Sequence, residues 1–123
     1  MPDYRRSDRV TVRVREELAR LLRQDLDDPR LVHGFITRVV MPDDLQSARV
    51  YVRLEVGGDE PAIRQALLAG LLAAAGKLRR EVGRALHLRR TPTLEFFYDE
   101  QLDDTLRIEG LLAEIADERK SDE

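Results

Sequence analysis

Apolar residues recur along this chain in two rhythms, one of about 3.6 residues and one of two, and the switches between them mark its elements. Val10, Val14, Leu18, Leu21 and Leu22 follow the helical rhythm, with Ser7 or Asp8 as N-cap, and the helix must end before Pro29. Phe35 to Met41 is rich in β-branched and large apolar residues and reads as a strand. Pro42-Asp43-Asp44 supplies a turn. Ala48, Val50, Val52, Leu54 and Val56 then alternate with Arg49, Tyr51, Arg53 and Glu55, predicting a half-buried strand antiparallel to the first.

Gly57-Gly58 ends that strand, and Asp59 is an N-cap candidate with Pro61 in the first turn. Ile63, Ala66, Leu67, Gly70, Leu71 and Ala74 form one helical stripe, and Leu78, Val82, Ala85 and Leu86 form another. Gly76 lies between them and costs about 1 kcal/mol against alanine inside a helix, so a kink or a helix-to-helix junction is expected there. Leu94 to Tyr98 reads as a third strand after Pro92. Asp103 or Asp104 can cap a last helix carrying Ile108, Leu111, Leu112 and Ile115.

The expected fold is thus α+β and two-layered, in the order α-β-β-α-α-β. Helices cover one face of a three-stranded mixed sheet, and a C-terminal helical extension follows. Residues 1–7 are expected as a flexible tail, 8–99 as the domain and 100–123 as an acidic, partly helical extension. A length of 123 residues fits one such domain, and a charged fraction of 37% gives it a heavily charged surface.

The net charge of −3 hides a strong asymmetry. Segment 77–90 carries six basic residues against one acid, whereas 99–123 carries three against ten. Segment 1–23 is also basic, with seven arginines against four acids. A basic block followed by an acidic tail points to an anionic partner, against the plainer reading of solvated helix faces.

Other chemistry finds little support. The absence of cysteine excludes disulfides and thiol catalysis. The longest apolar run, 66–76, is well short of the roughly 20 residues of a membrane helix. No signal-peptide pattern follows Met1, so a cytoplasmic location is expected. His33 and His87 are far apart in sequence and read as surface residues, and no spacing suits a metal site. Gly70 and Gly76-Lys77 do not make a phosphate-binding loop. Five residues separate the glycines, one too many, and Leu78 stands where a hydroxyl is needed. The pairs Asp27-Asp28, Asp43-Asp44 and Asp103-Asp104 fall at turns and helix ends, where caps explain them.

Lys77, Arg79, Arg80, Arg84, Arg89 and Arg90 are the candidate phosphate contacts, because the arginine fork stays charged and can bind two oxygens. Arg5, Arg6 and Arg9 extend this surface, and Ala74-Ala75-Gly76 supplies a small-residue kink for backbone approach. Arg79 has a structural alternative, pairing with Glu95 or Asp99. Phe96 and Phe97 can stack on bases, but on a strand the core is their better place.

The chain resembles the ribosome-binding factor A family, whose type II KH domain has an Ala-x-Gly kink instead of the GxxG clamp. The resemblance rests on Arg9-Val10, Asp28-Pro29-Arg30-Leu31, Thr37, Val39, Asp44-Leu45, Ala48 and Val50-Tyr51-Val52. It continues through Gly76, Arg79, Leu88-Arg89, Pro92, Leu94, Phe96-Phe97-Tyr98-Asp99, Arg107 and Ile108, while Gln101 stands where the family often has serine. It implies a non-enzymatic, cofactor-free assembly factor, monomeric, that binds the free 30S subunit through 16S rRNA. The family supports 5′-end maturation of that RNA and growth in the cold. A general single-stranded-RNA module and a protein-interaction domain are the alternatives.

Overall fold

Val14, Leu18 and Leu21 lie on one face of α1 (Arg6–Gln24) and are almost completely buried. This computed structural model describes residues 6–24 and 27–100, the side chains of Arg6 and Ser7 excepted. The helix already includes Arg6, so Ser7 and Asp8 stand in its first turn and neither is the N-cap. Its C-terminal continuation is a short 3-10 turn, Pro29–Leu31, capped by the Asp28 carboxylate, which accepts from the Arg30 N–H at 2.9 Å.

Strands β1 (Gly34–Val40) and β2 (Ser47–Leu54) pair antiparallel, and β3 (Thr93–Tyr98) joins β2 parallel, giving the order β1-β2-β3. The predicted alternation is kept in β2: Ala48, Val50, Val52 and Leu54 are buried beneath the helices. The opposite face carries Arg49, Tyr51 and Arg53, flanked in register by Arg38 and Val40 of β1 and by Glu95 and Phe97 of β3. Thr37 is an extra residue in β1, inserted between the pairs Ile36–Val52 and Arg38–Tyr51. This β-bulge keeps both flanking runs in phase with the core.

Between β2 and β3 runs one helix, α2 (Pro61–Leu86), where a helix pair was expected. The helix–helix order around Gly76 is therefore corrected to α-β-β-α-β. Leu67, Leu71, Leu78, Val82 and Leu86 are buried along one continuous stripe that passes Gly76 without losing register. Burying each such leucine contributes about 1.5–3 kcal/mol, which outweighs the roughly 1 kcal/mol cost of an interior glycine. The N-cap is Glu60, not Asp59, and it caps through its backbone only.

At the other end of α2, His87 takes the left-handed conformation (φ 54°, ψ 43°), and the Leu88 N–H donates to Gly83 O at 3.0 Å. That closure turns the chain back toward β3. The two helices cover one face of a mixed three-stranded sheet, so the two-layer α+β architecture holds. The expected C-terminal helix, with its Asp103 or Asp104 cap, lies outside the described residues.

Candidate nucleic-acid interface

Leu78 and Val82 anchor α2 to the core, which leaves the opposite face of the helix to solvent. Lys77, Arg80 and Arg84 are spaced three and four residues apart, share the outer face and are all exposed. Arg80 makes no ion pair with a described residue. Arg84 Nη1 lies 3.8 Å from Glu81 Oε1, but with the arginine side chain 78% exposed this pair is screened by water.

Gly76 stands on the same face one residue before Lys77, and a Cβ placed there would meet nothing within 4 Å. Internal packing therefore does not explain this glycine. Its effect is a stretch of bare helix backbone, beside exposed Ala73, leading into three cations. Of the small residues expected to form the kink, Ala74 packs against the core and Ala75 is half-buried.

Arg79 has a different setting. Its Nε donates to Pro92 O and its Nη2 to Thr91 O, both at 3.1 Å. It thus fastens the α2–β3 connection to the helix, through neither Glu95 nor Asp99. Arg89 and Arg90 are exposed just beyond the His87 cap, and Arg9 is exposed on the first turns of α1. Arg5 and the side chain of Arg6 lie outside the described part.

The aromatic pair divides. Phe96 packs against the core, whereas Phe97 is 41% exposed on the open sheet face, its ring centroid 5.6 Å from that of Tyr51. The Arg38 guanidinium covers the Tyr51 ring at 3.9 Å. The Arg38–Tyr51–Phe97 cluster is not legible in the sequence, because only the register brings the three strands' residues together.

His33 and His87 are both exposed and sit on separate loops. Among the described residues no group of three or more histidines and carboxylates is placed to hold a metal, and no described helix is long and apolar enough to cross a membrane.

Comparison with known proteins adds a family. The family model for ribosome-binding factor A matches residues 6–112. Ribosome-binding factor A of Sorangium cellulosum is 55% identical over 113 residues, covering 92% of this chain and 90% of the relative. That of Halorhodospira halophila is 40% identical over 121 residues, covering 98% and 94%. Among solved structures, the Thermotoga maritima protein described as a putative ribosome-binding factor A matches with a TM-score of 0.67 at 29% identity, covering 80% of this chain and 91% of that one. A Thermus thermophilus ribosome-binding factor A homology model, fitted into the cryo-EM map of a 30S complex, matches with a TM-score of 0.60 at 27% identity, covering 75% and 93%. With a matching model across most of its length and relatives this similar, the chain belongs to the ribosome-binding factor A family.

Proposed function

We propose that this protein is a non-enzymatic assembly factor of the small ribosomal subunit that binds 16S rRNA and supports maturation of its 5′ end. The observation that carries the RNA contact is the exposed stripe Gly76–Lys77–Arg80–Arg84, where bare backbone adjoins three cations. A phosphate chain can approach the glycine closely while the arginine forks and the lysine neutralise successive charges. Arg89, Arg90, Arg9, Arg5 and Arg6 extend the contact, and Arg79 serves it indirectly by holding Thr91 and Pro92. The small-subunit assignment draws on the Thermus relative fitted into a 30S complex.

Co-sedimentation with purified 30S, 50S and 70S particles across a salt series tests this reading. Selective binding to 30S is expected, with log K falling against log salt at a slope near −3 if about four phosphates are neutralised. The double variant Arg80→Glu/Arg84→Glu is expected to lose that binding while keeping its circular dichroism. Equal binding to all particles and to short oligonucleotides would instead indicate a general single-stranded-RNA module. RNase-resistant, salt-insensitive association would indicate a protein partner.

A further inference from the structure

A small notch opens where the start of α1, the β1–β2 turn and the α2–β3 connection meet. Its floor is apolar, built from Val10, Met41, Leu45, Leu88 and Pro92, with the exposed Arg89 and Arg90 at its rim, and it encloses about 280 Å³. It shares Leu45 and Arg90 with a second cleft of about 330 Å³, whose remaining wall is Asp44, Gln46 and Thr91.

Two features mark this place as built. Leu45 sits at φ 58°, a conformation that costs a side chain with a Cβ roughly 1–2 kcal/mol and that glycine or asparagine adopts more readily. The turn holds it there: the Leu45 N–H donates to Pro42 O at 3.0 Å, and Asp44 Oδ1 accepts from the Gln46 N–H at 3.0 Å. The turn geometry alone does not call for leucine, yet its side chain is the wall common to both clefts. Strain of this kind persists where the surroundings enforce it, and it collects at ligand sites.

The second feature is the fixing of the far wall. Arg79 clamps the Thr91 and Pro92 carbonyls from α2, and the Thr93 N–H donates to Gln46 O at 3.0 Å. The notch is therefore tied to both neighbouring elements before any ligand arrives.

We infer that the notch receives one unstacked nucleobase of single-stranded RNA, with its flanking phosphate on Arg89 or Arg90. An apolar slot of this size suits a single planar ring system, and the two rim arginines suit the adjoining charge. Asp44 and Gln46 line the adjoining cleft beyond Leu45, and the Asp44 carboxylate is an acceptor only, so a base whose exocyclic amine reaches past Leu45 into that cleft is favoured over uracil. This inference rests on the RNA-binding reading and deepens it, from phosphate contact to base selection.

Met41 offers a clean probe, because the only other methionine is Met1. The full-length protein, 13C-labelled at methionine and leucine methyls, would be titrated with hexamers of adenylate, cytidylate and uridylate and with an abasic ribose-phosphate hexamer. Shifts at the Met41 and Leu45 methyls are expected with adenylate and cytidylate. Affinity for these should exceed that for the abasic chain by about tenfold, the equivalent of burying one small apolar group. Leu45→Asn, which accepts the left-handed turn, should bring adenylate affinity down to the abasic level without lowering the melting temperature.

Several results would overturn the inference. RNA binding with a silent Met41 methyl would leave the phosphate-binding stripe standing and remove the notch. Met41 shifts of equal size with the abasic chain would reduce the notch to a phosphate site. Concentration-dependent Met41 shifts without RNA would give it to a second copy of the chain. Absence of binding to every oligomer would overturn the notch as a base site, while loss of 30S co-sedimentation is what would overturn the reading on which it rests.

Discussion

The Thr37 hydroxyl donates to Asp99 Oδ2 at 2.6 Å, joining the bulge of β1 to the residue just past β3 across the width of the sheet. Asp99 is the one charged residue buried among the described residues, at 5% exposure. Its N–H extends the parallel ladder to Val52 O at 2.9 Å, its carbonyl accepts from Arg53 Nη1 at 2.9 Å, and Arg38 Nε stands 3.5 Å from Oδ2. The bulge thus turns Thr37 toward a carboxylate that a regular strand would have left out of its reach.

Asp99→Ala should therefore destabilise the protein by about 1–3 kcal/mol, because it removes the ion pair with Arg38 and the short Thr37 bond, leaving that hydroxyl only the Tyr51 carbonyl at 3.2 Å. Thr37→Val should cost about 1 kcal/mol, and the double variant less than the sum of the two. Urea denaturation of the three variants measures this. Additive losses would mean that the two side chains act independently.

Gly76→Ala separates stability from binding. A Cβ there meets nothing within 4 Å, so the change should stabilise α2 by up to about 1 kcal/mol. It should at the same time weaken 30S binding, because the added methyl occupies the backbone approach. A stabilised variant that binds as tightly as the parent would remove Gly76 from the interface.

Arg79 and Arg80 are neighbours with opposite expected phenotypes. Arg79→Ala frees the Thr91 and Pro92 carbonyls and should lower the unfolding midpoint, by about 1–2 kcal/mol for two lost charge-assisted bonds at partial exposure. Arg80→Ala should leave the midpoint within about 0.5 kcal/mol and reduce the salt slope of RNA binding by about 0.7. Thermal melts beside salt-dependent titrations distinguish the two residues.

The Asp28–Arg30 pair predicts a pH effect. Hydrogen bonds from the Arg30 side chain, and then from its backbone N–H, hold the Asp28 carboxyl below its ordinary value of 3.8. The folded pKa lies below the unfolded one, so this stabilisation is complete above that value and is lost as pH falls through the folded pKa. Asp28→Asn should accordingly show a shallower loss of stability in acid than the parent, measured by urea midpoints from about pH 5 down to about pH 2. The same turn packs on α2, where a Cβ on Gly70 would come within 3.0 Å of Leu31 Cδ2.

The periodicity of the chain determined that there would be a two-layer α+β fold and which face of each element is buried. Val14, Leu18, Val50, Val52, Leu71 and Val82 all lie where their spacing placed them, because burial depends on apolar position along a helix or strand and that position is written locally. Asp28-Pro29-Arg30-Leu31 and Phe96-Phe97-Tyr98-Asp99 were visible as motifs, and so was the basic block that contains the candidate stripe.

Tertiary structure decided what those patterns left open. Gly76 does not break α2, because the buried leucines on both sides of it share one stripe, and their packing exceeds a local glycine penalty. Arg79 turns inward and Arg80 outward because a helix separates neighbours by about 100° around its axis and only the core fixes which direction is inside. The Thr37–Asp99 bond, the split between Phe96 and Phe97, and the notch around Leu45 depend on strand register and on turns meeting from distant segments. Contacts between residues that far apart follow from the packing of the whole chain, which no local pattern records.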